Sequence, residues 1–444
     1  MLSIDDIRLA PPSYPPDNLY NNVELLHDPL TGLYNKHGFI ALGSRRLPLM
    51  AAGGLHPTVI YIELNDYEGL ISRLGFEESI DLLQVVRRRL EMAFGSDVLL
   101  ARFDSERFAA LLPDACKDVE ALLHVLEVPL NLHAGTVHLS LTCGVASYPE
   151  AADNMDMLVM AARTARREAL RAGQRVGHFA QALRQRLARQ RAIEDGLWFC
   201  RGGSGMSLLY QPKIDIRAGR VFGVEALLRW QHPELGALSP AEFIPLAEST
   251  RTIVPIGEWT LREALRQKCA WRQAGQDICL SLNVSPLQLQ PNNCAPSVLE
   301  VLIEECDRLG LERGKIELEL TEGVLTDPVI MQEMLRIIRA GFRVAIDDFG
   351  REHSTLSLLA DCPAHTLKID KSFVDNVVEN ERQLAIVQFI VALARRLGMQ
   401  TVVEGIEHLQ QLVMLADAGC DYGQGYFYYR PLSGAQILDL RHQN

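Results

Sequence analysis

The second half of the chain alternates between short apolar runs and amphipathic helical patterns, and this alternation restricts the folds open to it. Strands that alternate with helices favour a parallel sheet with the helices packed on its faces. Eight such strands in about 250 residues predict a closed (β/α)8 barrel of the TIM type. The strand candidates are Leu208–Tyr210, Val221–Leu227, Cys279–Val284, Ile316–Leu320, Arg343–Ile346, His365–Ile369, Thr401–Val403 and Tyr422–Tyr426.

The first part of the chain, from His27 to about His178, predicts a separate α/β domain. Val59–Leu64 is a strand candidate, and Leu99–Phe103 with Phe108–Pro113 predicts a hairpin with a polar tip. Residues 77–92 have helical periodicity, with candidate buried positions at Ile80, Leu83, Val86, Leu90 and Met92.

Composition divides the remaining chain into a lead and a linker. Residues 1–24 are proline-rich and predict an extended N-terminal segment, here called the lead. Residues from about 156 to 195 look helical and carry many arginines. We therefore expect a lead at 1–24, an α/β domain at 25–178, a helical linker at 179–195 and the barrel at 196–444. The arginines indicate either a solvated connecting helix or a docking face, and the sequence leaves both open.

Charge and cysteine content limit the partners and the compartment. The net charge of −12 argues against broad binding to a nucleic-acid backbone. The nine cysteines are odd in number and contain no CxxC pair, which favours reduced thiols and disfavours a zinc site. No apolar run approaches the roughly 18–20 residues of a transmembrane helix, and no secretory signal pattern begins the chain. We expect a cytoplasmic protein without a transmembrane segment or a nucleic-acid partner.

Polar side chains recur where the apolar runs of the predicted barrel end, and barrels place their chemistry at the carboxyl ends of their strands. Clustered hard oxygen ligands suit two Mg²⁺ or Mn²⁺ ions, which can activate a water for hydrolysis of a phosphoester. A lysine among the acids would keep its charge and orient the water or neutralise developing charge. The positions are Glu225, Asn283, Glu319 with Glu322, Asp347, Asp348, Lys368, Glu404 with Glu407, and Gln424.

Each of these positions also has a structural interpretation when taken alone. Asp347 and Asp348 could form a turn or a helix cap, and Lys368 could be a surface lysine. Glu319 could be an outward-facing acid on an alternating strand, and Glu225 a salt-bridged barrel residue. The ordered set as a whole favours the metal site.

The same residues resemble the EAL family of cyclic di-GMP phosphodiesterases over roughly residues 185–440. The matching motifs are Tyr210-Gln211-Pro212, Glu225-Ala226-Leu227-Leu228-Arg229-Trp230, Asn283-Val284-Ser285, Glu319-Leu320-Thr321-Glu322, Asp347-Asp348-Phe349-Gly350, Lys368-Ile369-Asp370, Val403-Glu404-Gly405-Ile406-Glu407 and Gln424-Gly425-Tyr426. The resemblance implies hydrolysis of cyclic di-GMP to linear pGpG, and leaves open a homodimer through the EAL domain.

The resemblance also implies a role for each site residue. Two Mg²⁺ or Mn²⁺ ions would be held by Glu225, Asn283, Glu319, Asp347, Asp348 and Glu404. Lys368 would assist the attacking water, with Gln424 and Glu407 in support. The dinucleotide would be contacted by Gln211, Leu227 and Arg229.

One loop departs from the pattern of active EAL members. After Asp-Asp-Phe-Gly they usually continue with Thr-Gly-Tyr, whereas this chain has Arg351-Glu352-His353. In the family this loop supports the metal site and the dimer contact. The substitution removes a glycine and adds a carboxylate near the ligands. Glu322, which anchors the loop in the family, is retained.

The first domain resembles GGDEF diguanylate cyclases, through His27–Asn35 and Gly144–Ala146, but its catalytic residues differ. Asp104–Phe108 replaces the Gly-Gly-Asp-Glu-Phe signature, so that Arg107 stands where an acid belongs. Glu63 replaces the upstream metal-binding acid of the family, and Glu68 replaces its lysine. Ile71 and Ser72 stand where the family has the Asn and Asp that read guanine. Gly95 and Val98 occupy the positions of the inhibitory Arg-x-x-Asp site. We expect a catalytically dead domain that regulates, dimerises or contacts a protein partner directly or through the linker.

Three functions are therefore compared. The first is a metal-dependent cyclic di-GMP phosphodiesterase, indicated by the complete set of ligand positions and Lys368. The second is a receptor that binds cyclic di-GMP without hydrolysing it and signals to a protein partner, indicated by Arg351-Glu352-His353. The third is a scaffold that acts without a nucleotide.

Overall fold

The computed structural model describes residues 25–440 except 96–97, 116–117, 133–134, 291–295, 351–357 and 360–361. The predicted lead at 1–24 and the residues Arg351-Glu352-His353 therefore lie outside the described residues. The chain divides into two compact units, the first ending at Ala188 and the second beginning at Arg189. Among the described helices, none has the length and apolar content that a membrane span requires.

The strands of the first unit are β1 Thr58–Leu64, β2 Leu99–Arg102, β3 Arg107–Leu112, β4 Leu130–Leu132, β5 Gly135–Val137, β6 Leu141–Ser147 and β7 Val176–His178. Five of them form a sheet in the order β2-β3-β1-β6-β7, and β4 and β5 form a separate hairpin. Strand β1 pairs antiparallel with β3 and β6, and β7 lies parallel to β6. Strands β2 and β3 form the hairpin that the sequence predicts.

Helices cover both faces of this sheet, because β1 alternates its side chains between two cores. Ile60 and Ile62 pack into one core, while Val59 and Tyr61 pack into the other. The first core takes the helices Tyr67–Leu74, Phe76–Phe94 and Val119–Glu127, and the second takes Lys36–Ala52 and Met155–Arg171.

Two details of the sequence prediction are corrected in this unit. Ile80 is only partly buried, and Met92 is 71% exposed because it lies two residues beyond buried Leu90 and so on another face of the helix. Leu82 is buried instead. The region from about 156 to 195 is not continuously helical. It contains the helices Met155–Arg171 and Gln181–Phe199, with β7 between them.

The second unit is a closed barrel. The strands are β8 Met206–Asp215, β9 Val221–His232, β10 Gly236–Leu238, β11 Cys279–Asn283, β12 Ile316–Thr321, β13 Arg343–Phe349, β14 Thr366–Ile369, β15 Gln400–Val403 and β16 Tyr422–Gly423. The sheet runs in the order β10-β9-β11-β12-β13-β14-β15-β16-β8, and an additional pairing of β8 with β9 closes the ring. The last strand is shorter than the predicted Tyr422–Tyr426.

The barrel departs from a fully parallel arrangement at its first strand. Strand β8 lies antiparallel to both β9 and β16, whereas the pairings of the ring from β9 to β11 and onward to β16 are parallel. The edge strand β10 is antiparallel to β9. The physical reason is the short turn after Asp215, whose Oδ1 accepts hydrogen bonds from the amides of Arg217 and Ala218. Such a turn joins antiparallel strands, because a parallel crossover needs a dozen or more residues.

Helices surround the strands and bury a large apolar core and a smaller one between themselves and the barrel. The described α-helices that lie wholly within this unit are Pro240–Ser249, Ile253–Gln273, Pro286–Leu289, Val298–Leu309, Pro328–Arg339, Glu381–Arg396, Leu409–Ala418 and Gly434–Asp439. Short 3-10 turns lie at Cys200–Gly202, Arg313–Lys315, Glu322–Thr326 and Lys371–Phe373. Within the helix Gln181–Phe199, Ile193 and Leu197 are buried in a smaller core of the second unit.

Candidate active site

Glu225 lies in the middle of β9 rather than at its end, where the sequence pattern suggested that the strand would stop. Its flanking residues Val224 and Ala226 belong to the outer apolar core, so Glu225 faces the barrel interior. Both of its oxygens accept hydrogen bonds, Oε1 from Asn283 Nδ2 at 2.6 Å and Oε2 from Gln424 Nε2 at 2.7 Å. Leu227 and Arg229 follow at alternate positions on the same face of the strand.

Gln211 joins this group because β8 runs antiparallel to β9 and places it directly opposite Glu225. Its Oε1 accepts a hydrogen bond from Gln424 Nε2 at 3.0 Å, and its Nε2 donates to the Tyr429 carbonyl at 3.1 Å. Gln424 is 4% exposed, and its Oε1 has no hydrogen-bond partner among the described residues. A buried acceptor of this kind is ready to receive a hydrogen bond from a water or a ligand.

A bulge at the end of β13 brings two consecutive aspartates to the same site. The pairing with β14 shifts register between Ile346 and Phe349, and Asp348 has a φ of 54°. Neighbouring side chains of a regular strand point in opposite directions, so this irregular backbone is what allows both carboxylates to converge. One ligand atom each from Asp347, Asp348 and Glu404 lies within 4.8 Å of the others. This spacing suits a shared cation.

Lys368 lies within an acid cluster and is only 1% exposed. The members of the acid cluster are Glu225, Glu319, Asp347, Asp348 and Glu404. Its Nζ is 2.6 Å from Glu319 Oε2, 2.7 Å from Glu404 Oε1 and 3.0 Å from Asp347 Oδ1. Glu225 Oε2 is farther, at 3.8 Å. Burial opposes the charged form of the lysine, but the surrounding carboxylates outweigh burial and hold the pKa of Lys368 well above its ordinary value. Lys368 is therefore an ammonium group at neutral pH.

A second lysine, which the sequence analysis missed, lies beside the same acids. Lys213 Nζ is 2.5 Å from Glu319 Oε1, so each oxygen of Glu319 contacts a different ammonium group. Burial disfavours the carboxylate, yet the two cations together lower the pKa of Glu319 to about 2. The expectation of a single lysine in the cluster is corrected. The available signal was the spacing of Gln211 and Lys213, which places both on one face of a strand.

The charges of the cluster show that its residues fit bound cations. Burial, and then the neighbouring carboxylates, raise the pKa of Glu225. Burial also raises the pKa of Glu404 to about 8, with Asp347 and Glu225 adding to the effect against the opposing charge of Lys368. Two lysines thus leave these acids short of positive charge, and divalent ions with oxygen ligands would supply it.

Glu322 connects the cluster to the loop that follows β13. It is buried at the start of the turn after β12, and its Oε2 accepts a hydrogen bond from the Gly350 amide at 2.9 Å. Gly350 has a φ of 93°, a conformation that favours glycine. Glu322 thereby fixes the first residue of the loop whose altered sequence begins at Arg351.

Glu407 is the one predicted catalytic residue that the described structure does not bring into contact with the acids. It is exposed and forms an ion pair with Lys371 at 2.6 Å. Arg229 is partly buried and donates a hydrogen bond to the Leu228 carbonyl, and Leu227 is also partly buried. These two side chains border the cluster along β9.

In the first unit, the position that corresponds to a metal-binding acid is occupied by an ion-pair network. Glu63 Oε2 is 3.0 Å from Arg107 Nε, and Glu63 Oε1 is 2.7 Å from Arg166 Nη2. Arg107 also contacts Asp104 at 3.0 Å and Glu106 at 3.2 Å. Arg107 is therefore paired with acids of the hairpin and with Glu63, and Glu63 is also paired with Arg166.

Comparison with known proteins identifies both units. The family model described as "Diguanylate cyclase, GGDEF domain" matches residues 25–176, and the model described as "EAL domain" matches residues 179–431. A cyclic di-GMP phosphodiesterase of Pseudomonas aeruginosa is 31% identical over 439 residues, which covers 96% of this chain and 70% of the relative. The bifunctional diguanylate cyclase/cyclic di-GMP phosphodiesterase MucR of the same organism is 31% identical, with coverage of 93% and 61%.

A solved structure agrees with these matches. The PaMucR phosphodiesterase in complex with c-di-GMP is 36% identical, has a TM-score of 0.52, and aligns with 55% of this chain and 99% of its own. The chain spans 60%, 50% and 52% of the length of three other curated relatives, from Synechocystis, Sinorhizobium fredii and Bacillus subtilis. The chain belongs to the family of tandem proteins in which a GGDEF domain is followed by an EAL domain.

Proposed function

We propose that the protein is a metal-dependent phosphodiesterase that hydrolyses cyclic di-GMP to linear pGpG. The observation that carries this proposal is the convergence of Glu225, Glu319, Asp347 and Glu404 on the buried ammonium group of Lys368. Relatives described as cyclic di-GMP phosphodiesterases support the substrate. The products follow from the chemistry, since water adds to one phosphorus, its bond to the 3′ oxygen breaks, and that oxygen takes a proton.

The proposed metal site contains Glu225, Asn283, Glu319, Asp347, Asp348 and Glu404. Two Mg²⁺ or Mn²⁺ ions bound there would lower the pKa of a water and stabilise the leaving oxygen. The close approach of Asp347, Asp348 and Glu404 supports this assignment, as does the raised pKa of Glu225, caused by burial and neighbouring carboxylates. The donors are oxygens, which are the ligands that Mg²⁺ and Mn²⁺ prefer.

Lys368 donates hydrogen bonds from a fixed, charged position, and we assign it to orienting the attacking water and neutralising developing charge on the phosphate. Gln424 supports it, because its buried Oε1 is available to accept a hydrogen bond. Glu407 is assigned a supporting role through its ion pair with Lys371. Gln211, Leu227 and Arg229 are assigned to the dinucleotide, with the Arg229 guanidinium suited to a phosphate or a guanine edge.

The first domain is proposed to be catalytically inactive and regulatory. Its support is the network in which Arg107 and Arg166 occupy both oxygens of Glu63. A cation at Glu63 would have to displace two guanidinium groups. We place this domain at 25–178, the linker at 179–195 and the EAL domain at 196–444, and we propose that the first domain or the linker receives a protein partner.

The proposal is tested by incubating the purified protein with cyclic di-GMP and separating the nucleotides by chromatography. Without added metal and with EDTA, we expect unchanged substrate; with excess Mn²⁺, we expect pGpG. A matched Asp347→Asn variant should give little product in Mn²⁺, because it removes a charge from the acid cluster. Absence of pGpG from the wild type in Mn²⁺ or Mg²⁺ would refute the proposal.

A receptor that binds cyclic di-GMP without turnover is the second candidate, and the sequence Arg351-Glu352-His353 favours it. This candidate predicts saturable binding of cyclic di-GMP without pGpG, and loss of that binding in Arg229→Ala. Replacing residues 351–353 by Thr-Gly-Tyr separates the two candidates. A large gain in the rate of pGpG formation would show that this loop limits an enzyme, whereas no gain would favour the receptor.

A further inference from the structure

Lys213 is buried inside the barrel, with 1% exposure, and its ammonium group donates hydrogen bonds to Glu319 and Ser281. Its Nζ is 2.5 Å from Glu319 Oε1, 2.6 Å from Ser281 Oγ and 3.6 Å from Glu317 Oε2. Two hydrogen bonds and the longer ion pair with Glu317 fix the direction of an otherwise flexible side chain. Lys213 is therefore held in a fixed position between Glu317 and Glu319 of β12.

A lower layer of polar residues holds Lys213 in this position. Glu317 lies two residues before Glu319 on β12, so both side chains face the interior at successive levels. Glu317 Oε2 accepts a hydrogen bond from Ser281 Oγ at 3.0 Å, and its Oε1 accepts one from Thr366 Oγ1 at 2.5 Å. Strands β8, β11, β12 and β14 thus contribute to one hydrogen-bonded layer beneath the acid cluster.

This layer determines which oxygen of Glu319 faces the cluster. Lys213 occupies Oε1, and Oε2 is the oxygen that contacts Lys368. We propose that Lys213 is a positioning residue, which rests on the proposed function: it holds Glu319 so that Oε2 alone serves the metal site and Lys368. Without Lys213, the carboxylate could rotate and present both oxygens to Lys368, which would draw that ammonium group away from Asp347 and Glu404.

A positioning role and a purely electrostatic role of Lys213 predict opposite changes in the affinity for Mn²⁺. If Lys213 acts only through its charge, its removal takes away a Coulomb repulsion and strengthens the binding of Mn²⁺. Losing an outer contact that orients a ligand weakens it, commonly by about 10- to 100-fold in metal affinity or activity. The sign of the change therefore distinguishes a positioning role from a purely electrostatic one.

The test is calorimetric titration of the full-length protein with Mn²⁺, comparing wild type with Lys213→Met. We expect an affinity at least about tenfold weaker. With cyclic di-GMP as substrate at saturating Mn²⁺, we expect a lower kcat and a KM within about twofold, because the substrate contacts are assigned to other residues. Unchanged or tighter Mn²⁺ binding would overturn the proposal.

Lys268→Met is the matched control, since Lys268 is equally buried but contacts Asp277 and the Ile278 carbonyl instead of the acid cluster. It should keep the wild-type affinity for Mn²⁺ even if its thermal stability falls; a loss equal to that of Lys213→Met would also overturn the proposal.

A milder variant keeps the test decisive if Lys213→Met fails to fold. Ser281→Ala removes one hydrogen-bond acceptor of Lys213 and preserves the charges of Lys213 and Glu319. The affinity for Mn²⁺ should therefore weaken by about fivefold, which is the effect of one hydrogen bond. A wild-type affinity in Ser281→Ala would contradict the positioning role. Should the wild type bind Mn²⁺ yet form no pGpG, the proposed hydrolysis fails, while the Mn²⁺ comparison still decides the role of Lys213.

Discussion

The ammonium nitrogen of Lys368 lies 2.7 Å from Glu404 Oε1, so a buried cation joins the ends of the neighbouring strands β14 and β15. The same nitrogen contacts Glu319 and Asp347, from two further strands. One side chain therefore links carboxylates that are far apart in sequence. Its removal tests whether these acids form a single chemical unit.

We expect Lys368→Met to reduce pGpG formation by about 100- to 1,000-fold, as the loss of a preorganised electrostatic group does in other enzymes. Without Mn²⁺, the variant should also unfold more easily, by about 3–5 kcal/mol, because buried carboxylates lose their shared cation. Initial rates and urea unfolding measure the two effects. A variant as active as the wild type would remove Lys368 from the mechanism.

Loss of the Glu322 contact should affect the site through the loop after β13. In Glu322→Ala the Gly350 amide loses its buried acceptor, at a cost of about 1–3 kcal/mol. We expect the rate of pGpG formation to fall by about tenfold, because the backbone two residues after Asp348 loses the contact that fixes Gly350. Chromatographic rates provide the measurement, with Glu312→Ala on the exposed surface as the control. Equal rates in both variants would show that this anchor is dispensable.

The first domain should form no cyclic di-GMP from GTP and Mg²⁺, because Arg107 and Arg166 neutralise Glu63. We expect Arg107→Ala to show no synthesis either, since Ile71 and Ser72 stand where the resemblance to GGDEF cyclases places guanine-reading residues. The variant should lower the free energy of unfolding by about 1–2 kcal/mol, as partly exposed ion pairs are worth up to about 1 kcal/mol each. Chromatography of GTP reactions and urea unfolding test both statements. Cyclic di-GMP or pGpG formed from GTP by the wild type would contradict the assignment.

Stability should decrease under mildly acidic conditions because of His365. Burial and the neighbouring Arg343 lower the pKa of His365, against the opposing charge of Glu317, and its Nδ1 accepts a hydrogen bond from the Val344 amide. The folded protein favours the neutral ring, so the unfolded chain binds more protons as pH falls through the ordinary value of 6.5. This contribution is present above that pH and is lost below it. Thermal melts from pH 7.5 to 5.5 should fall less steeply for His365→Gln than for the wild type.

Much of the fold was predictable because the periodicity of apolar residues reflects burial. The alternation of strands and helices in the barrel and the hairpin of β2 and β3 follow from it. The antiparallel direction of β8 was not predictable in this way, because an apolar run reveals a strand but not its direction. The turn after Asp215 carried that information, since it is too short for a helical crossover.

The composition of the acid cluster was predicted more completely than its geometry. Sequence motifs named the acids, but the bulge that turns Asp347 and Asp348 together depends on local backbone conformation. Lys213 was missed because a lysine in a strand is usually solvent-exposed, and only the closed barrel shows that it points inward between Glu317 and Glu319.

The most direct test of the central claim is the amount of pGpG formed from cyclic di-GMP in Mn²⁺ by the wild type and by Glu225→Ala. Glu225 accepts hydrogen bonds from Asn283 and Gln424 through its two oxygens, so its removal takes away both contacts and keeps the three shorter ion pairs of Lys368. Product from the wild type that disappears in the variant is the predicted result. Equal product from both proteins, or none from the wild type, would contradict the account.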